Sequence, residues 1–401
     1  MPIETPEQTR AEKTFPSVLP KEGIGLCLSG GGFRAMLFHT GALWRMNELG
    51  LLTSLDRISS VSGGSITAAT LGVKWATLNF DPVTGIAANF VDQVVWPIRE
   101  FAAQPIDVIC GLVGITTPLI SAGALVSKAY DMFLFKGATL QDLPDSPRFV
   151  INASNLQSGA LWRFQKPYMR DWKVGEVRNP HVKLADAVAA SSAFPPVFSP
   201  FKLRLNASDF TPDSGDRYQR EPYTTKVHLG DGGIYDNLGL ETVFKRYQTV
   251  FVSDGGKAFE AKAKPPVTWG RHLLRVLNTI DNQVGSLRVR DLVDAYRLRE
   301  ALIADGNLPQ SPTVRYCSRQ GAYWGIGLDL ASFPAAGKLP FPVEKSKIMA
   351  ETPTRLYGLP VWHQDRLINW GYAVCDAALR SYCLTGSVPP PAFPYPDSAA
   401  G

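Results

Sequence analysis

Cysteine is scarce and scattered. Its five positions, Cys27, Cys110, Cys317, Cys375 and Cys383, make no C-x-x-C pair and no Cys/His cluster with metal spacing. A disulfide framework and a structural zinc are therefore not expected as sources of stability. A large excess of one charge is also missing: 41 Lys/Arg stand against 36 Asp/Glu, a net of +5, with no long basic run. Charge spread this evenly argues against nucleic acid as a partner, although a slight basic excess suits a protein that visits an anionic membrane surface. The polar, charged residues 1–23 lack the apolar segment of a signal peptide, and a reducing cytoplasmic setting is expected. No internal repeat is visible.

What the sequence has is enough apolar material for a large core: 45% of its 401 residues are hydrophobic, which excludes a wholly disordered chain, and the length allows one large α/β domain with an elaboration or two ordinary domains. After a proline-bearing leader (1–22), the apolar run 24–28 (IGLCL) reads as a buried strand. The glycines Gly30, Gly31 and Gly32 follow, and then apolar residues recur at helical spacing as far as Gly50, placed as a C-cap. Residues 57–61 (RISSV) repeat the pattern: a short strand, the turn Ser62-Gly63-Gly64, and a second helix from Ser65. Further strands are expected at 149–152, 162–164, 226–229 and 249–252, with a helix at 184–192 and a long amphipathic helix over 271–304. Residues 108–126 hold nineteen residues without a charge, but three glycines and Pro118 in the middle favour a buried hairpin or an apolar cap over a membrane span. The tail from Val388 is proline-rich.

Three short segments carry chemistry. Ser62 sits where a strand meets a helix, so its hydroxyl stands clear of the sheet at a helix N-terminus that favours negative charge. The familiar form of such an elbow is G-x-S-x-G, and here Ser60 replaces the first glycine. The segment from Gly30 to Arg34 offers consecutive backbone N–H groups, suited to a phosphate or to the oxyanion of acyl transfer. It lacks the last glycine of a dinucleotide fingerprint, the acidic residue some twenty positions on, and the Walker lysine. Asp231, at a strand end and followed by Gly232 and Gly233, is placed to act as a base. Asp254, followed by Gly255 and Gly256, competes for that role, and the longer motif around Asp231 favours the latter.

Taken together, a glycine loop, a serine elbow some thirty residues later and a distant Asp-Gly-Gly resemble the patatin-like phospholipase family, of bacterial type. The likeness continues in residues 151–164 (INASNLQSGALWRF) and 187–198 (AVAASSAFPPVF), so that five blocks in the family's order cover about residues 23–256. The resemblance implies a three-layer α/β/α fold with a predominantly parallel central sheet. With a catalytic region placed at 23–260, the chain's own pattern adds an apolar cap inserted at about 86–136, a helical C-terminal extension at 261–387 and a proline-rich tail at 388–401, none of them covered by the resemblance. The resemblance further implies a Ser–Asp dyad, with Ser62 as nucleophile and Asp231 as base, and an oxyanion hole from Gly30, Gly31 and Gly32 helped by Arg34. The reaction implied is phospholipase A-type hydrolysis of a glycerophospholipid acyl ester through an acyl-serine, releasing fatty acid, with no metal or other cofactor. The partners implied are a phospholipid or another acyl-ester lipid and, peripherally, a membrane; the resemblance is compatible with an activator or regulator that the sequence does not identify.

Two other readings stay open at this point. One is a serine esterase or lipase acting on other lipids. The other is a catalytically silent protein on the same scaffold, binding a nucleotide, a phosphate or a protein. A His-dependent hydrolase would need a histidine after its acid, and only His272 and His363 follow Asp231.

Overall fold

Alternate residues along the central strands fall into two separate apolar clusters, and this divides the molecule into layers. Our computed structural model describes residues 19–106, 122–196, 198–256, 259, 261–384 and 392–398. The expected leader up to residue 18, most of the uncharged stretch 108–126, and much of the tail beyond 388 lie outside the described residues.

The chain begins with β1 (Lys21–Leu28), α1 (Gly32–Glu48), β2 (Arg57–Val61) and α2 (Gly63–Lys74), the two strand–turn–helix units expected. The middle contributes α3 (Trp96–Ala102), α4 (Ala122–Tyr130), β3 (Arg148–Asn155), β4 (Ala160–Phe164), β5 (Tyr168–Asp171), β6 (Gly175–Arg178), α5 (Leu184–Ser191), β7 (Phe201–Arg204) and β8 (Lys226–Asp231). Next come the short turns α6 (Gly233–Asp236) and α7 (Glu241–Phe244), then β9 (Tyr247–Asp254) and the long α8 (Trp269–Ala304). The chain closes with α9 (Pro312–Cys317), β10 (Gln320–Gly325), α10 (Val343–Glu351) and α11 (Val361–Tyr382).

All ten strands join one sheet. Its centre, β10-β9-β1-β2-β3, is parallel throughout. Beyond β3 the sheet turns antiparallel through β4, β5 and β6, while β8 pairs antiparallel with β3 and with β7. The expected hairpin at 149–164 is the β3–β4 pair. The segment after residue 261, expected to be helical, also supplies the edge strand β10, whose register on β9 runs from Gln320 opposite Thr249 to Gly325 opposite Asp254.

Leu26, Leu28, Phe251, Ala322 and Trp324 point into the large core with α1, α2, α5 and α11. Cys27, Val250 and Val252 point the other way, into a small cluster with Leu238, Leu240, Val243 and Leu292. This period of two, read on both faces, makes the three layers. The second face is thinly covered, by α7 and the C-terminal half of α8. The flanks of the 86–136 region enter the main core through the buried Val94, Ile98, Phe101 and Tyr130. No helix among the described residues is long and apolar enough to cross a membrane.

Helices α1 and α11 touch backbone to backbone. A Cβ at Gly41 would stand 1.9 Å from the Ile368 carbonyl oxygen, and one at Gly371 would stand 1.9 Å from that of Phe38. An ion pair ties the same helices, Arg45 Nε to Asp376 Oδ1 at 2.9 Å, and Arg380 Nε of α11 holds the other oxygen of Asp376 at 2.9 Å. Gly371→Ala is therefore expected to force the helices apart and to cost about 1–3 kcal/mol. Gly285→Ala on α8, where a Cβ meets nothing within 4 Å, should instead gain up to about 1 kcal/mol from helix propensity. Denaturant midpoints of the two variants check this, and equal shifts would contradict the close-contact account.

Candidate active site

Ser62 ends β2 and begins α2 with φ 51° and ψ −120°, a left-handed backbone that a residue with a side chain adopts only under constraint. The constraints are visible. Its N–H donates to Ser191 Oγ at 3.0 Å. Ser191 Oγ in turn donates to the Asn152 carbonyl at 2.6 Å and meets Ser65 Oγ at 2.9 Å. Ser65 Oγ donates to Ser60 Oγ at 3.0 Å, and Ser60 Oγ to the Val150 carbonyl at 3.3 Å. The serine that replaces the elbow's first glycine is thus one member of a buried hydroxyl chain joining α2, α5 and β3. Sequence reasoning missed Ser65 and Ser191, whose only signal was their place in small-residue helices.

The second element at the site is the glycine loop. Gly31 has φ 148° and Gly32 φ 60°. A Cβ on Gly63 would lie 2.2 Å from the Gly32 carbonyl, so the loop and the serine elbow pack backbone against backbone. The N–H of Gly64 donates to the Ser29 carbonyl at 3.1 Å. Gly30 also lies beside the elbow, its Cβ position 3.2 Å from Ser62 Cβ, but its N–H donates to the Asn237 carbonyl at 3.0 Å. Of the three glycines expected to donate to an oxyanion, Gly30 is therefore engaged elsewhere. Among the described residues no hydrogen-bond partner falls on the N–H of Gly31, Gly32 or Gly63.

Arg34 is buried, and its guanidinium is spent on the protein. Nε donates to the Gly255 carbonyl at 2.9 Å, and Nη1 donates to the Thr352 carbonyl at 2.6 Å and to Thr354 Oγ1 at 2.8 Å. Nη2 is buried and lies 2.7 Å from where a Gly31 Cβ would be. Burial pulls the guanidinium pKa down to about 10, opposed by Asp254, so it stays charged at neutral pH. These three bonds brace the glycine loop against the end of β9 and the 352–355 segment, and Nη2, with no hydrogen-bond partner among the described residues, stays beside Gly31. Phe33 N–H adds to that brace, donating to the Arg355 carbonyl at 3.0 Å.

Asp231 closes β8, opposite Ala153 of β3. Its N–H donates to the Ala193 carbonyl at 2.9 Å, and its Oδ1 accepts from Gly233 N–H at 2.7 Å. Burial pushes its carboxyl up to about 7, opposed by the Gly233 bond and by a side-chain hydrogen bond with Ser62, with Asp281 adding to the rise. The competing Asp254 has other company: Oδ2 accepts from Tyr323 Oη at 2.8 Å and Oδ1 from Gly256 N–H at 2.9 Å. Asn237, which the sequence did not single out, stands between the two aspartates. Its Oδ1 lies 2.3 Å from a Gly30 Cβ position and 2.7 Å from that of Gly233. It also lines a cavity of about 520 Å³ together with Asp254, Asp281, Gly285 and Tyr323.

The histidines take no part in this cluster. His39 is fully buried between Ser253 Oγ at 2.8 Å and the Ser29 carbonyl at 2.9 Å. Burial drives its pKa down to about 4, against the Ser29 hydrogen bond and with Arg34, so it is neutral. His272 Nδ1 meets the Pro266 carbonyl at 3.1 Å, and His363 Nε2 meets Thr352 Oγ1 at 2.8 Å. An apolar rim of exposed side chains stands instead beside Gly230, the residue before Asp231. Ile234 and Leu156 both approach Gly230, and they are exposed together with Phe194.

These features define a class of protein: a layered α/β molecule whose serine elbow meets a glycine loop and a buried aspartate. The chain belongs to the patatin-like phospholipase family, whose model matches residues 26–244. Human GIVD cytosolic phospholipase A2 is similar along 89% of this chain and 58% of its own, with 14% identity and a TM-score of 0.49. VipD from Legionella pneumophila is similar along 90% of this chain and 67% of its own, with 16% identity and a TM-score of 0.37. A stretch of 42 residues, 10% of this chain and 7% of its relative, is 50% identical to the putative meiotic phospholipase SPO1 of Saccharomyces cerevisiae (strain ATCC 204508 / S288c). The chain thus spans 58% of the human protein and a small part of the yeast one. These relatives come from a yeast, a human and a bacterium, and they do not single out the bacterial subtype.

The raised Asp231 pKa has a consequence for stability. Its ordinary value is 3.8 and its folded value about 7, so between these the folded chain holds a proton that the unfolded chain releases. Stability from this group is fully present below about pH 4 and falls as pH rises towards about 7. Asp231→Asn should remove that decline. Denaturation midpoints of both proteins across this window are expected to converge at the acid end and separate as pH rises, and parallel curves would contradict the burial of this carboxyl.

Proposed function

We propose that the chain is a serine-dependent lipid acyl hydrolase of phospholipase A type, cleaving glycerophospholipid acyl esters with Ser62 as nucleophile and Asp231 as its base. The observation that supports this reading is a serine on a strained elbow together with a buried carboxyl, Asp231, which burial pushes up to about 7 and which the Ser62 side chain pulls down. A base tuned close to neutral pH accepts a proton from a nucleophile and returns it to a leaving group with little loss in either direction.

The steps balance without a metal. Asp231 takes the hydroxyl proton as Ser62 Oγ attacks the ester carbonyl carbon. The carbonyl oxygen becomes an oxyanion facing the unpartnered N–H groups of Gly31 and Gly32, with Arg34 holding that loop in place. The bond to the alcohol breaks, Asp231 gives its proton to the departing oxygen, and a lysolipid leaves. Water then loses a proton to Asp231 and attacks the acyl-serine. Fatty acid departs, and the proton returns to Ser62. The apolar rim of Leu156, Phe194 and Ile234 supports an acyl-chain substrate, because such side chains gain when hydrocarbon displaces their water.

Fatty-acid release from mixed phospholipid vesicles tests this. Ser62→Ala and Asp231→Asn are each expected to reduce release by about a thousandfold or more, whereas Asp254→Asn keeps most of it. Wild-type release should rise with pH through about 7, since Asp231 acts as a base only when ionised. Release retained by Asp231→Asn but lost in Asp254→Asn would assign the base to the other aspartate. Activity on simple esters with none on phospholipid would make the chain a general esterase, and failure of wild type on both would make it a silent scaffold.

A further inference from the structure

Helix α8 wears its amphipathicity inside out. Trp269, Leu273, Leu277, Ile280, Val284 and Leu287 follow one another at intervals of four and three, so they form a single stripe over about 28 Å of helix. All six are exposed, Trp269 at 84% and Ile280 at 55%. The residues on the opposite side, among them Asp281, Asn282, Gly285, Ser286 and Val289, line the cavity beside Asn237. Only Leu292 and Ala295 of the helix are buried, so its C-terminal half is anchored and the stripe is left uncovered by the described residues. A stripe of this size facing water is costly unless something covers it.

Charge indicates what covers it. Residues 261–290 hold six Lys/Arg (Lys262, Lys264, Arg271, Arg275, Arg288, Arg290) and one acid, Asp281. Their net of +5 equals that of the whole chain. The exposed Phe259 adds to the patch, with the Arg275 guanidinium 4.0 Å from its ring centre. Arg288 and Arg290 flank the stripe, whereas Arg271 and Arg275 stand on the opposite face of the helix. An apolar face backed by a cationic one is the arrangement of a helix lying in the boundary of an anionic bilayer, with acyl chains against the stripe and phosphates against the cations.

We propose that the N-terminal half of α8, residues 269–287, docks the protein on anionic lipid surfaces. The same helix reaches the catalytic turn. Arg288 Nη2 donates to the Tyr235 carbonyl at 3.5 Å and Nε stands 3.5 Å from Asp236 Oδ1, on the α6 turn that starts two residues after Asp231. Docking would therefore bring the apolar rim of the site to the lipid boundary, and in this respect the inference rests on the proposed lipid hydrolase.

The experiment separates docking from catalysis. The full chain carrying Ser62→Ala is sedimented with vesicles of phosphatidylcholine alone and of phosphatidylcholine with about a third phosphatidylglycerol. Binding is expected only to the anionic vesicles. The double variant Leu277→Glu/Ile280→Glu should weaken it by about tenfold or more, and Arg271→Gln/Arg275→Gln should weaken it while reducing its salt dependence. In a Ser62-intact background, the Leu277/Ile280 variant should lose vesicle hydrolysis yet keep hydrolysis of a monodisperse short-chain ester. Anionic binding that survives the Leu277/Ile280 change, or no anionic binding at all, overturns the proposal. Self-association that the same change abolishes, without lipid binding, assigns the stripe to a second copy. Loss of short-chain ester activity in wild type would remove the hydrolase reading while leaving vesicle binding as a separate result.

Discussion

The close approach of two backbone turns governs the rest of the molecule. Gly63 at the serine elbow lies against the Gly32 carbonyl, and Gly64 donates to Ser29. A side chain on Gly32, Gly63 or Gly64 would have to displace backbone atoms of a neighbouring turn. With that contact made, the glycine loop lies beside Ser62, the Gly30 Cβ position standing 3.2 Å from Ser62 Cβ. The parallel order β9-β1-β2-β3 is what brings the two turns to one edge of the sheet. The strain at Ser62, of order 1–3 kcal/mol for such a backbone, is offset by the hydroxyl chain through Ser191, Ser65 and Ser60.

Much of this was legible because the signals are local. A short apolar run, a glycine cluster and a helical period appear within about twenty residues of each other, and they marked both βα units. Ser62 and Asp231 each sit at a strand end beside glycines, the only arrangement in which a short side chain emerges from a buried sheet. The long helix at 271–304 was visible from its period, and it appears as Trp269–Ala304.

What escaped was nonlocal. The partners of Arg34 lie at Gly255, Thr352 and Thr354, more than two hundred residues away, and nothing in its own neighbourhood distinguishes a brace from an oxyanion donor. Gly30 looked equivalent to Gly31 and Gly32 until the Asn237 carbonyl claimed its N–H. Strand β10 (QGAYWG) has two glycines and only six residues, so its pairing with β9 rather than its composition makes it a strand. The contacts of Gly41 with Ile368 and of Gly371 with Phe38 join helices separated by more than three hundred residues, and a lone glycine in a helix reads as a weak point until its neighbour is known. The candidate site was thus written in short segments, while its supports came from the far end of the chain.

The central claim is that Asp231 is the base of Ser62. The most direct measurement is the rate at which a fluorophosphonate labels the intact protein, mapped to its residue by mass spectrometry, from about pH 5 to about pH 9 for wild type and Asp231→Asn. The account predicts a single adduct on Ser62, a wild-type rate that climbs through about pH 7, and slow, nearly flat labelling in the variant. An adduct elsewhere, or an unchanged pH profile in Asp231→Asn, would contradict it.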